Sequence, residues 1–494
     1  MSFPSALPGF ALLPAALALP LILLSRRWPS VREAWSLLAA LAQTASVAAM
    51  LPSVLAGAVP AWQFLDLAPG IPLLLRADPA GTLFALVASA LWGLTTVYSI
   101  GYTRAERERA QTRYFFCFDL CLFATVGIAF AGNLLTFFVF FELLTIAGYP
   151  LVIHRETSAA RRAGRIYLAY TLGGGGVLLA AVAWTAALAG HVDFVPGGIL
   201  TGDMAPAWAL RGLFALFVVG CGVKAALVPL HTWLPVAMIA PTPVSALLHA
   251  VAVVKAGVFG FVRVTGFVFG PVLLGELGAG TALSWLAAAT IVLASLAALA
   301  QDNLKRLLAL STVSQLSYVV LGVALGTGDA VTGGVMHMVS HALLKITLFF
   351  CAGAIAVTAH LDRVSQLAGI GRRMPLTMGA FAVTAFMLAG LPPGAAFVSK
   401  WLLLSGAAAA GAWIALAALL SSAVLNIAYF APIVVRAFRR ADGGPARVAE
   451  APAPMLVPLL VTAAAAIVVG LYPDAIAHLL SLARATALDF GAVR

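Results

Sequence analysis

Apolar runs long enough to cross a bilayer recur along this chain, centred near residues 17, 45, 90, 122, 143, 176, 219, 253, 290, 315, 345, 390, 423 and 464. About 306 of the 494 residues are apolar (62%) and only 10% are charged, far from the roughly 45 to 50% apolar content of soluble domains. Fourteen spans of about 20 residues use roughly 280 of them. The chain therefore reads as an all-α polytopic membrane protein of about fourteen helices, the run near 390 being long enough for two half-spans. The longest stretch without a span, around Arg436 to Ala451, is too short to fold alone. No nucleotide-binding or other soluble domain fits, so any chemistry must lie within the membrane.

The formal charge of +11 does not point to nucleic acid, because the basic residues sit in short loops between apolar runs. With an external N-terminus, twenty fall on the predicted inner side: Arg26, Arg27 and Arg32; Arg104, Arg107, Arg109 and Arg113; Arg155, Arg161, Arg162 and Arg165; Lys305 and Arg306; Arg363, Arg372 and Arg373; Arg436, Arg439, Arg440 and Arg447. Five fall on the other side, at Arg76, Arg211, Arg263, Arg484 and Arg494. That bias predicts an even number of spans in the plasma membrane of a bacterial cell, with both termini on the outer face. The first run, Phe10 to Leu24, has no Lys or Arg before it and two after it, the reverse of a cleavable signal, and is expected to stay as a span.

Lysine and arginine are sorted differently. Of five lysines, Lys224, Lys255, Lys345 and Lys400 lie inside spans, whereas the 24 arginines are expected in loops and at helix ends. Burial lowers a lysine's pKa by several units, so it can load and unload a proton near neutral pH, whereas arginine stays charged. Glu142 stands in the apolar run Leu134 to Leu144, where a charge costs roughly 2.5 to 3.5 kcal/mol and calls for a partner. Lys224, two spans on, is the best candidate; a fixed pair tying two helices is the bland alternative. Pro229, Pro235, Pro241 and Pro243 follow Lys224, and Gly390-Leu391-Pro392-Pro393-Gly394 precedes Lys400. Two interrupted helices, each with a lysine and one in each half, suggest an inverted repeat.

Between them lie His249 and Lys255 on one span, and His337, His341 and Lys345 at i,i+4 spacing on another. The latter three form a polar stripe on one helix face, better explained as a wet relay than as satisfied core residues. A metal at His337 and His341 lacks further ligands in the sequence, and Cys117, Cys121, Cys221 and Cys351 read as packing residues, so neither metal nor cofactor is expected. Asp119 is either a carboxylate where protons enter the path or a helix-end residue. The glycine run 173–176 reads as close helix packing. Ser311, Thr312, Ser314 and Gln315 either line a polar channel or bond across helices.

These residues fall in recognisable segments: Phe141-Glu142-Leu143-Leu144-Thr145 with Tyr149-Pro150-Leu151; Leu230-His231-Thr232-Trp233-Leu234-Pro235; Ala240-Pro241-Thr242-Pro243-Val244-Ser245-Ala246-Leu247-Leu248-His249; Val254-Lys255-Ala256-Gly257-Val258; Asp302-Asn303-Leu304-Lys305-Arg306; and Gly390-Leu391-Pro392-Pro393 with Lys400. With them the chain resembles the antiporter-like subunits of respiratory complex I, of Mrp-type sodium/proton antiporters and of membrane-bound hydrogenases, from about Arg76 to Gly411. The resemblance implies fourteen helices, two inverted five-helix repeats, and discontinuous seventh and twelfth helices. It divides the chain into helices 1–3 (1–110), a first repeat (111–270), a second repeat (271–440) and a last helix with its tail (441–494). It also implies Glu142 as the charge partner, Lys224 as the half-channel lysine, His249 and Lys255 as the central connection and Lys400 as the terminal lysine. His231, His337, His341, Lys345, Lys305 and Asp119 would be accessory.

Two departures stand out: Gly394-Ala395-Ala396-Phe397 where relatives often have Ser-Gly-Phe, pointing to a less flexible break, and an early end after the last span, as in the D subunit of Mrp antiporters. The expected function is proton translocation as one membrane subunit of an Mrp-like cation/proton antiporter, or alternatively of a complex I-like or hydrogenase complex whose redox cofactors lie in other subunits. Partners would be those other subunits and the lipid bilayer. Whether protons move alone or against sodium or potassium stays open.

Overall fold

The computed structural model describes residues 2–68, 71–439 and 449–491. Arg440, Arg447 and Arg494, counted above among loop residues, lie outside the described residues, as does the 440–441 boundary. Two peripheral helices open the chain, α1 (Leu7–Leu24) and α2 (Pro29–Leu55). After a hairpin come α3 (Pro79–Ala105), α4 (Gln111–Phe130), α5 (Leu134–Val152), α6 (Ser158–Ala189) and α7 (Ala207–Ala225). The middle of the chain is broken into α8 (Trp233–Val236), α9 (Thr242–Ala250), α10 (Val253–Arg263) and α11 (Gly270–Glu276). Three long helices follow, α12 (Ala279–Leu299), α13 (Leu304–Leu325) and α14 (Gly328–Ala359). The rest comprises α15 (Ile370–Arg373), α16 (Pro375–Ala389), α17 (Ala395–Ala409), α18 (Trp413–Phe438), α19 (Ala453–Leu471) and α20 (Leu479–Asp489).

Among the described residues, thirteen helical segments are long and apolar enough to cross a membrane, with α9, α10 and the π-helical turn Val264–Val268 counting as one crossing. Helices α16 and α17 have 15 residues each, about 22 Å at 1.5 Å per residue, short of the roughly 30 Å hydrocarbon core. They are apolar but each too short to cross alone. The apolar window of the α9–α10 crossing is 100% buried, against 33% for α1, α2 and α6. The titratable residues of the middle of the chain therefore lie at the centre of the bundle, and the periphery meets lipid or neighbours.

The two ends of the bundle differ. At one, β1 (Ser2–Pro4), β2 (Val59–Ala68) and β3 (Ile71–Arg76) form a small sheet, β1 parallel and β3 antiparallel to β2. Among the described residues these are the strands, in a segment broken by Pro60, Gln63, Asp66 and Pro72 that does not register as an apolar run. Bridges Leu75 to Ala131 and Asn133 to Asp193 tie the α4–α5 and α6–α7 connections to it. At the other end lie the arginine-rich loops. Arg32 donates to Gln111 (2.8 Å) and Thr112 (3.1 Å), Arg104 pairs with Glu33, and Arg113 pairs with Glu156. There Asp302 accepts from both Ser365 N and Oγ at 2.8 Å, and the Ser365 N–H holds its carboxyl below its ordinary value.

Arg263 corrects the sequence reading. It was expected in an outer loop, and arginine in general at loops and helix ends, but its side chain is fully buried in the last turn of α10. The helix continues through the π-helical turn instead of ending there. The charge is tolerated because Asp78, the N-cap of α3, accepts from both guanidinium nitrogens, 3.0 Å for Nη2 to Oδ1, while Phe194, Phe259 and Phe267 surround Cζ at 4.7 to 5.1 Å. Arg32, inside α2, is likewise buried. Removing one partner of a buried pair leaves an uncompensated charge worth about 3 to 5 kcal/mol. Asp78→Asn should therefore lower the melting temperature in detergent, and Asp78→Leu with Arg263→Met should recover most of the loss. An unchanged melt for Asp78→Asn would contradict a stabilising pair.

Candidate ion-translocation site

All four intramembrane lysines are enclosed: Lys224 and Lys345 are 0% exposed, Lys255 1% and Lys400 6%. Each donates to a backbone carbonyl. Lys224 reaches Phe141 O on α5, Lys255 reaches Met338 O on α14 at 2.9 Å, and Lys345 reaches Leu308 O on α13 at 3.0 Å. Lys400 donates to Leu388 O (2.8 Å) and Ala389 O (3.1 Å). Those two carbonyls are the last of α16. Gly390, at φ 108°, ends the helix in the left-handed region that favours glycine, and the following prolines cannot supply N–H groups to continue it. The break thus turns a helix C-terminus, with its partial negative charge, onto the ammonium of the next half-helix.

The break after Lys224 has a similar origin. Helix α7 stops at Ala225, Ala226 adopts φ 59°, and Pro229 and Pro235 block continuation. The Val223 carbonyl accepts from Ala226 N at 3.1 Å and from Trp233 Nε1 at 2.8 Å, so the interruption is satisfied within the protein. Lys224 Nζ lies 3.9 Å from Glu142 Oε1 and 3.4 Å from the Phe141 ring centroid. It is the one intramembrane lysine with a carboxylate partner among the described residues. Glu142 is 17% exposed, at the edge of the bundle, and its Oε1 has no hydrogen-bond partner.

A second polar line follows α14. His337 Nδ1 lies 2.9 Å from Ser399 Oγ, beside Lys400, and its Nε2 lies 3.1 Å from Gln315 Oε1. Its ring stacks on Tyr318 at 5.0 Å, and Lys400 Nζ stands 4.9 Å from the same Tyr318 ring. His341 follows one turn on, 6.3 Å between ring centroids, and interacts electrostatically with Lys255, Lys345 and His249. Lys345 also donates to Ser311 Oγ. His249 packs on Phe349 at 5.1 Å. Neither ring nitrogen of His249 or His341 has a hydrogen-bond partner.

Toward the arginine-rich end, Lys305 donates to Ala240 O at 3.0 Å on the wall of an open cavity of about 930 Å³ whose lining includes Tyr102, Arg155, Thr242 and Asp362.

Not every expected residue joins these lines. Asp119 is buried mid-helix in α4, not at a helix end; Ser36 Oγ donates to it at 2.7 Å. His231 is half-buried on the turn before α8. Among the described residues no hydrogen bond links the Glu142 and Lys224 pair to Lys255. Ser311 meets Lys345 Nζ, Gln315 bonds across helices to His337 and Asn426, and Ser314 bonds across helices to Ser295 and Ser422. Ser399, next to Lys400, and Tyr318, three residues after Gln315, were missed because only the packing of α13, α14 and α17 brings them to His337. Among the described residues no group of three or more His, Cys, Asp or Glu is placed to hold a metal.

An interrupted-helix bundle with a buried lysine and histidine axis defines a class of polytopic ion-translocation subunits. Residues 131–426 match the family described as NADH:quinone oxidoreductase/Mrp antiporter, TM. The NADH-quinone oxidoreductase subunit N of Desulforudis audaxviator is 35% identical over 94% of this chain and 95% of its own length. A K(+)/H(+) antiporter polypeptide of Rhizobium meliloti, so described as probable, is 32% identical over 72% of this chain, which spans 35% of that relative. A chain in the structure of the Mrp complex from Dietzia sp. DQ12-45-1b superposes with a TM-score of 0.86 at 24% identity, covering 98% of this chain and 97% of that one. The chain belongs to this family and is a multi-pass membrane protein.

A guanidinium in place of the Lys400 ammonium could keep both α16 carbonyls but not give up its proton. Lys400→Arg should therefore insert and assemble normally yet transport no better than Lys400→Ala in vesicles. Full activity of the arginine variant would exclude proton release at this position.

Proposed function

We propose that this chain is the proton-translocating membrane subunit of a multisubunit Mrp-like cation/proton antiporter. The observation that carries the reading is the set of four buried lysines, each held by a backbone carbonyl, with histidines between them and a single carboxylate at one end. Such charges are costly in hydrocarbon and find their use in ion pathways. Ring nitrogens of His249 and His341 without protein partners leave hydrogen-bonding capacity for water along the axis.

The working cycle turns on Glu142. Near Lys224 its carboxylate stabilises the ammonium form; drawn away, it leaves that charge uncompensated, and the proton passes through His249, Lys255 and ordered water toward Lys400. His337, His341 and Lys345 extend the relay, Lys305 and its cavity provide access from the arginine-rich end, and His231 and Asp119 are accessory. The arginine-rich loops face the cytoplasm of a bacterial cell, which puts both termini outside. The bundle divides into helices 1–3 (1–110), inverted repeats 111–270 and 271–440, and a last helix with its tail (441–494).

The nearly full-length match to a subunit N favours a second reading, a pumping subunit of a complex I-like quinone oxidoreductase. In either case other membrane subunits are its partners, as in the Mrp complex whose chain it resembles. Cofactor-bearing proteins copurifying in gentle detergent would select the second reading, and their absence from an active preparation the first. Glu142→Ala and Lys224→Ala should each cut proton transport at least about tenfold while the chain stays inserted and assembled. Undiminished transport in both would refute the switch.

A further inference from the structure

Helix α6 carries four consecutive glycines, Gly173 to Gly176, and the structure gives them different surroundings. Gly173 and Gly176 face outward, with nothing within 4 Å of where a Cβ would stand. Gly174 and Gly175 face inward. A Cβ on Gly174 would lie 2.9 Å from Val223 Cβ, so this glycine receives α7 one residue before Lys224. A Cβ on Gly175 would lie 2.5 Å from Glu142 Cδ and 2.8 Å from Oε2, and closer still to Oε1. The whole carboxyl group of Glu142 therefore rests on the bare backbone of Gly175. In that position its Oε1 is 3.9 Å from Lys224 Nζ, beyond hydrogen-bond distance, and lacks any hydrogen-bond partner.

We propose that Gly175 positions Glu142, its missing side chain forming the slot that seats the carboxylate 3.9 Å from Lys224, one of the two places between which it alternates. The inference rests on Glu142 and Lys224 acting as a moving pair. A methyl group at residue 175 occupies space that the carboxyl atoms now fill. The α-helical backbone of α6 accepts alanine without strain, so the effect of the substitution is confined to Glu142. That seat is then denied, and the carboxylate can no longer alternate between two places.

The test uses membrane vesicles containing the assembled complex, with proton flux scaled to the amount of assembled complex. Gly175→Ala should lower flux about tenfold, whereas Gly173→Ala and Gly176→Ala, in the same run, should stay within about twofold of the wild type. Shortening the acid should make room for the methyl group: adding Glu142→Asp to Gly175→Ala should raise flux at least about threefold over Gly175→Ala alone. A merely structural glycine would show no such rescue. Wild-type flux in Gly175→Ala, equal losses at all three glycines, or no gain from Glu142→Asp would each overturn the proposal. If Glu142→Gln is inactive while Gly175→Ala is harmless, only the slot fails; if Glu142→Gln transports normally, the moving pair itself fails.

Discussion

An ammonium ion in hydrocarbon must find something to replace its water, and in this protein backbone oxygen does so. Among the described residues only Lys224 of the four intramembrane lysines stands near a carboxylate, yet all four donate to main-chain carbonyls. A carbonyl dipole compensates part of a charge without fixing it as a full counter-ion would. Arg263 makes the contrast: a charge that is meant to stay is clamped by a bidentate carboxylate and three phenyl rings. The same bundle holds its lysines and this arginine with different chemistry.

Supplying those carbonyls shapes the architecture. At Lys400 they come from a helix deliberately ended by Gly390 and the prolines that follow; at Lys255 and Lys345 they come from neighbouring intact helices that must pack closely around the α9–α10 crossing. Helices of low burial such as α1, α2 and α6 then form the lipid-facing or partner-facing surface. Glu142 lies at the margin between these zones, partly exposed, where movements in an adjoining subunit can be felt.

Much of this was legible in the sequence because hydropathy, proline and the sorting of lysine from arginine report directly on the bilayer. The crossings, the interruptions after Lys224 and before Lys400, and the clustering of histidines on α14 all follow from local composition. What escaped has non-local causes. Arg263 looks like a span boundary until Asp78, 185 residues away, is seen beside it. The break between α9 and α10 at Val251 and Ala252 carries neither proline nor glycine, and so gives no local sign. Ser399 and Gln315 become partners of His337 only when three helices are assembled. The packing role given to the glycine run was right in kind, but which glycine meets which side chain depends on helix rotation.

The indole of Trp233 has a mechanical consequence. By capping the carbonyl just before Lys224, it anchors the stub of α7 to the turn that follows. The same oxygen also accepts from Ala226 N, so swivelling that stub would cost it one of two donors. The interruption beside Lys224 is thus closed by a contact within the protein, tying the end of α7 to the turn before α8.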